Sequence, residues 1–119
     1  MKLNSFVNVC INTWISPVFV SVAHVRSNSG RYKIVSMTEA QQECETRGMT
    51  LASRDDMLQS RALGLGMCTC GWLSDNTIGL VLRTINPECG FGNVVDNVVY
   101  TCSDVGYAAG DAYCKRQII

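Results

Sequence analysis

The chain has 119 residues, 47% of them apolar, with ten basic residues balanced by ten acidic ones and seven cysteines. That length suits one domain rather than two, and a zero net charge without any block of like charge excludes a chain-wide nucleic-acid footprint. A domain of this size buries only about 60–70% of its unfolded surface, so cross-links would help; cysteine at this density is expected where thiols oxidise, outside the cytosol.

Residues 1–21 have part of the character of a secretory leader. Lys2 is basic, Phe6 to Val20 is apolar in bulk, and Val20-Ser21-Val22-Ala23 offers small residues to a peptidase. Asn8, Asn12, Thr13 and Pro17 weaken it, and the competing reading gives these residues to a first strand. Their removal would discard Cys10 and leave an even number of cysteines. No apolar run reaches the ~18 residues of a spanning helix, so membrane insertion is not expected.

Val18 to Arg26 alternates loosely and reads as a strand. Ser27-Asn28-Ser29-Gly30 is a turn, and Arg31 to Val35 is a second short strand, in which Lys33 should face away from Tyr32. Ser36-Met37-Thr38-Glu39 fits a capping box at the start of a helix over about 37–47, with Met37, Ala40 and Cys44 on one face. Gly48 stands where a left-handed residue ends it. Met49 to Ala52 is extended. Ser53 begins a second helix with Asp55 and Asp56 in its first turn, where the helix dipole favours negative charge. Leu58, Ala62 and Leu65 are its expected buried stripe. Beyond residue 66 helical periodicity stops, and short strands are expected near 70–73, 78–85, 94–101 and 112–116. Helices followed by strands give an α+β domain.

The order of motifs carries more than any one of them. Cys44 lies in the first helix, Cys68 precedes Gly71-Trp72-Leu73, Cys89 precedes Gly90-Phe91-Gly92, and Cys114 closes Asp111-Ala112-Tyr113-Cys114, with Gly30-Arg31-Tyr32-Lys33 ahead of them all. In this order the chain resembles the Link module, an extracellular hyaluronan-binding unit related to C-type lectins, over residues 22–116, with 117–119 as a tail. Asn86-Pro87-Glu88-Cys89-Gly90-Phe91-Gly92 is similar to the secreted and scavenger-receptor branches of that family. The resemblance implies two disulfides, Cys44–Cys114 and Cys68–Cys89. Cys70 and Cys102 are then left over; an extra bridge between them is expected, with two free or separately paired thiols as the alternative.

Hyaluronan alternates a carboxylated with an N-acetylated sugar. Arginine meets carboxylates in a planar fork, aromatic rings cover apolar sugar faces, and backbone groups bond hydroxyls. The resemblance assigns Arg31 and Tyr32 to a basic–tyrosine pair, Phe91 to an aromatic of the groove, and Tyr100 to a further tyrosine; Arg83 is a candidate compensating cation. Several departures weigh on the other side. Leu80 stands at a tyrosine position, Thr69-Cys70 at an Arg-Tyr position, and Gly110 at an aromatic position. The basic residue expected just beyond Tyr100 is not evident; Cys102-Ser103-Asp104 occupies that region.

The expected function is therefore glycosaminoglycan binding by a single secreted module. The alternative is a Link-fold protein without sugar binding, acting through contacts with matrix or other proteins. No cofactor is expected. The close pair Cys68-Thr69-Cys70 and the lone His24 do not make a zinc spacing. Glu-Pro-Asn and Trp-Asn-Asp calcium motifs and a Gly-x-Ser-x-Gly nucleophile motif are absent, so an enzyme is not expected. His24 and Trp72 read as structural.

Overall fold

A computed structural model describes residues 19–118. Val18 and the rest of the candidate leader up to that point lie outside the described residues. The elements are β1 (Phe19–Val25), α1 (Met37–Glu45), β2 (Thr50–Leu51), α2 (Arg54–Ala62), β3 (Gly71–Trp72), β4 (Ile78–Leu80), β5 (Tyr100–Thr101) and β6 (Asp111–Ile118), with 3-10 turns at Cys89–Gly92 and Cys102–Val105. Among the described residues the strands form one six-stranded sheet in the order β1-β6-β3-β4-β5, with β2 also paired to β6. β6 is antiparallel to β1 and β2 and parallel to β3. The fold is α+β.

β6 is the axis of the domain, and its alternation sorts the core. Ala112 and Cys114 face one way, with Ala40 and Cys44 of α1, Trp72 and Leu80. Tyr113 faces the other way, with Met57 of α2, Leu73 and Val81. Successive residues of a strand point to opposite faces, so the two helices cover opposite sides of the sheet. Trp72 is core, as expected, and its indole N–H donates to Ile34 O at 2.8 Å. Cys44–Cys114 bonds α1 to β6 (Cα–Cα 5.5 Å). Cys68–Cys89 and Cys70–Cys102 bond the β3 end to the two 3-10 turns. The loops closed span 70, 21 and 32 residues, for which the chain-entropy relation gives about 4, 3 and 4 kcal/mol.

Several local expectations change. The segment 31–35 is not a strand. Tyr32 has φ +56°, and only Ile34 bridges, to Gly110; the reason is a long-range anchor described below. The opposite-face argument for Lys33 therefore lapses. The complete capping box is in α2, where Ser53 Oγ accepts from Asp56 N–H and Asp56 Oδ2 from Ser53 N–H. At α1, Ser36 Oγ accepts from Glu39 N–H, but Glu39 reaches past it to Val35 N–H. α1 stops at Glu45, with Gly48 at φ +73° after it.

In α2 the buried residues are Asp56, Met57 and Ser60, while Ala62 is exposed and Leu58 and Leu65 are only partly buried. The polar Asp56 can turn inward because its carboxylate has the cap and Lys115 Nζ (3.0 Å) as partners. The expected strands 78–85 and 94–101 shrink to Ile78–Leu80 and Tyr100–Thr101. β6 runs on to Ile118, paired with Phe19, so residues 117–118 are strand rather than tail and residues 19–21 are sheet.

Candidate functional site

The site begins with Asp111, the first residue of β6, whose side chain is fully buried. A buried carboxylate must be hydrogen-bonded. Its Oδ1 accepts from Tyr32 N–H at 2.8 Å. Its Oδ2 lies 2.7 Å from His24 Nε2 and 3.9 Å from Arg26 Nε. The Asp111 N–H donates to Cys70 O. Tyr32 is held a second time, since its Oη accepts from Cys70 N–H at 2.7 Å. A bulky residue in the left-handed region is rare and strained; here a buried anion at its backbone and a hydrogen bond at its hydroxyl keep it there. His24 has the structural place expected of it, packing on Tyr113 with ring centroids 5.9 Å apart. Burial pushes the Tyr113 hydroxyl pKa up, and the hydroxyl donates to Thr69 O at 2.7 Å.

Around Tyr32 a cleft of about 190 Å³ opens, lined by Arg31, Tyr32, Cys68, Cys70, Leu80, Glu88, Gly90, Tyr100 and Tyr107. The Arg31 Cζ lies 4.9 Å from the Tyr32 ring centroid, a cation–π contact. Tyr107 meets Tyr32 edge to face, centroids 6.1 Å apart at 76°. Opposite them, Tyr100 pairs in register with the buried Leu80. The Tyr100 hydroxyl is buried with no hydrogen-bond partner among the described residues. Gly90, at φ +60°, admits the Tyr100 ring, because a Cβ there would stand 3.2 Å from Tyr100 Cζ and 2.7 Å from Val94 Cγ2. The two disulfides through Cys68 and Cys70 form part of the lining. The cleft thus offers one cation, one carboxylate, three tyrosines and an apolar patch of leucine and sulfur.

Of the residues singled out in the sequence, Arg31, Tyr32 and Tyr100 come together here. The backbone of Phe91 is in the 3-10 turn Cys89–Gly92; its side chain lies outside the described residues. Arg83 is not among the residues that line the cleft; its backbone packs against Gly66 and its carbonyl accepts from Arg61. Tyr107, Glu88 and Asp111 were missed as site residues. Asp111 was visible as part of a closing motif, but its partners are 79 and 87 residues away in sequence. Gly110 is no simple loss of an aromatic, since a Cβ there would come within 3.0 Å of Cys70 O and of Ile78 Cγ2. Among the described residues no helix is long and apolar enough to cross a membrane.

The chain is 34% identical over 71 residues to the human tumor necrosis factor-inducible gene 6 protein, covering 60% of this chain and 25% of that one. It is 29% identical over 111 residues to mouse stabilin-1, covering 91% of this chain and 4% of that one. With the mouse lymphatic vessel endothelial hyaluronic acid receptor 1 it shares 34% over 56 residues, covering 47% of this chain and 18% of that one. The chain therefore spans a quarter or less of the length of these relatives. Residues 21–115 match the family described as the extracellular link domain, and the chain belongs to that family.

Proposed function

We propose that this chain is a carbohydrate-binding module, working outside the cell and without a catalytic step, whose cleft takes hyaluronan or a closely related glycosaminoglycan. The observation that carries the reading is the Arg31–Tyr32 pair: a guanidinium over a tyrosine face, beside a cleft lined by two further tyrosines. Membership of an extracellular domain family and a relative named as a hyaluronic acid receptor support the ligand class and the compartment. Three disulfides fit an oxidising environment.

In this reading a sugar carboxylate engages the fork of Arg31. The apolar faces of the sugar rings lie on Tyr32 and Tyr107, and an acetamide methyl packs toward Leu80 and the disulfide sulfurs. The Tyr100 hydroxyl, which has no hydrogen-bond partner among the described residues, gains one from the ligand. A single exposed ion pair contributes only about 0–1 kcal/mol, so affinity accumulates along the polymer and rises further when many modules share it.

Binding to immobilised hyaluronan at several salt concentrations tests this. Arg31→Ala is expected to weaken binding about three- to fivefold, an exposed-pair effect, and Tyr32→Ala at least as much; affinity should fall as salt rises. If both variants bind like the unmodified chain, the site is wrong. If the unmodified chain binds at no ionic strength, the function is contact with other proteins through a retained Link fold.

A further inference from the structure

We propose that Glu88 sets the specificity of the cleft, selecting sparsely charged, unsulfated glycans against sulfated ones. The proposal rests on the glycosaminoglycan reading above and adds to it a ligand class. Among the residues lining the cleft the charged side chains are Arg31 and Glu88, so the lining carries no net charge. Among the described residues neither takes part in an ion pair, so they do not cancel each other by direct contact and both are presented to a ligand. Arg26 is not among the lining residues; its guanidinium stands 3.9 Å from the Asp111 carboxylate.

The position of Glu88 is fixed on both sides. Its N–H donates to Asn86 Oδ1 at 2.9 Å, which closes a turn around Pro87. The next residue, Cys89, is buried and bonded to Cys68 on the cleft lining. The backbone of Glu88 is therefore set at the rim by covalent architecture.

The consequence follows from charge placement. A polymer with a single carboxylate in each repeat can set that group on Arg31 and run its neutral sugar past Glu88, whose oxygens accept hydrogen bonds from hydroxyls. A polymer that also carries a sulfate ester in each repeat presents a second anion, and the lining holds no second cation to receive it. Like charges brought together at an interface oppose the wrong partner more than they alter the right one.

The experiment compares the full chain with Glu88→Gln and Glu88→Lys, each checked for an unchanged thermal transition. Probes are hyaluronan, unsulfated chondroitin and chondroitin sulfate of matched length; the last two differ only in sulfate. The unmodified chain is expected to prefer unsulfated chondroitin to its sulfated form about fivefold, the scale of an exposed charge contact. Glu88→Gln should raise affinity for chondroitin sulfate about three- to fivefold and move that ratio toward unity, and Glu88→Lys should invert it. The difference between variants should vanish near 1 M salt, where the screening length is about 3 Å. Equal binding of both chondroitins by the unmodified chain, or a ratio that neither substitution moves, overturns the role of Glu88 while leaving the glycan site standing. Binding of no probe overturns the cleft reading itself, and this inference with it.

Discussion

The two walls of the cleft are secured in different ways. The Tyr32 wall is fixed from inside the sheet: a fully buried Asp111 holds the tyrosine's backbone, Cys70 N–H holds its hydroxyl, and Tyr107 packs against its ring. The Tyr100 wall is an edge strand of two residues between two 3-10 turns, and sulfur holds it, through Cys89 to Cys68 and Cys102 to Cys70. Exposed Val95 and Val98 lie on the same stretch. One wall is a consequence of folding the core. The other adds Val94 and Val99 to the core and is tied to the first by cross-links. Cys70 belongs to both, since its N–H holds Tyr32 and its sulfur holds Cys102.

Breaking the first wall should have the largest effect. Asp111→Ala leaves the Tyr32 N–H and the His24 ring without their buried acceptor, and is expected to destabilise the domain by about 3–5 kcal/mol, from two hydrogen bonds to a buried carboxylate at roughly 1.5–3 kcal/mol each. Urea unfolding of the oxidised protein measures it; a loss below 1 kcal/mol would mean that Tyr32 is held by something else. Removing the Cys70–Cys102 bridge as the double variant Cys70→Ala/Cys102→Ala should lower stability by about 2–4 kcal/mol and speed dissociation of hyaluronan by more than it slows association, because the Tyr100 wall loses its order while Arg31 stays in place. Equal changes in both rates would argue against a clamp.

The smallest effect should come from a site remote from the cleft, which serves as the control. Burial pushes the Asp56 carboxyl pKa up, but the hydrogen bonds from Ser53 and the contact with Lys115 outweigh it, and the folded value lies below the ordinary 3.8. A depressed carboxyl pKa contributes stability above the unfolded value, and that stability is lost as pH falls through the folded one. Asp56→Asn is therefore expected to cost about 0.5–2 kcal/mol near neutral pH, the range for a helix cap, and to flatten the acid limb of the stability profile without changing sugar binding. A stability–pH curve parallel to that of the unmodified chain would contradict it.

The sequence disclosed the frame better than the walls. Cysteines, a Gly-Trp pair and two capped helices are local signals with a physical reason for their spacing, and they led to the right fold class and family. The conformation of Tyr32 was hidden because Asp111 imposes it across 79 residues, and no pattern within 31–35 records that. The inward face of α2 was misjudged because periodicity counts apolar side chains, whereas Asp56 turns inward on its hydrogen bonds and Lys115. Gly110 looked like a missing aromatic until its neighbours showed that a Cβ would crowd Cys70 O. Tyr107 follows a left-handed Gly106 in a loop whose length gives no hint of where its ring will land.

The outermost pairing of the sheet has a mechanical meaning. Phe19 and Ile118 are register partners on antiparallel strands, so the two ends of the β1–β6 pairing described lie at neighbouring points, about 5 Å apart. Such a unit behaves as a cassette: it can be spliced into a single exposed site of a host polypeptide without prying that site open. Under tension applied through its flanks, β1 and β6 would unzip one hydrogen bond at a time until the pull reached the Cys44–Cys114 staple.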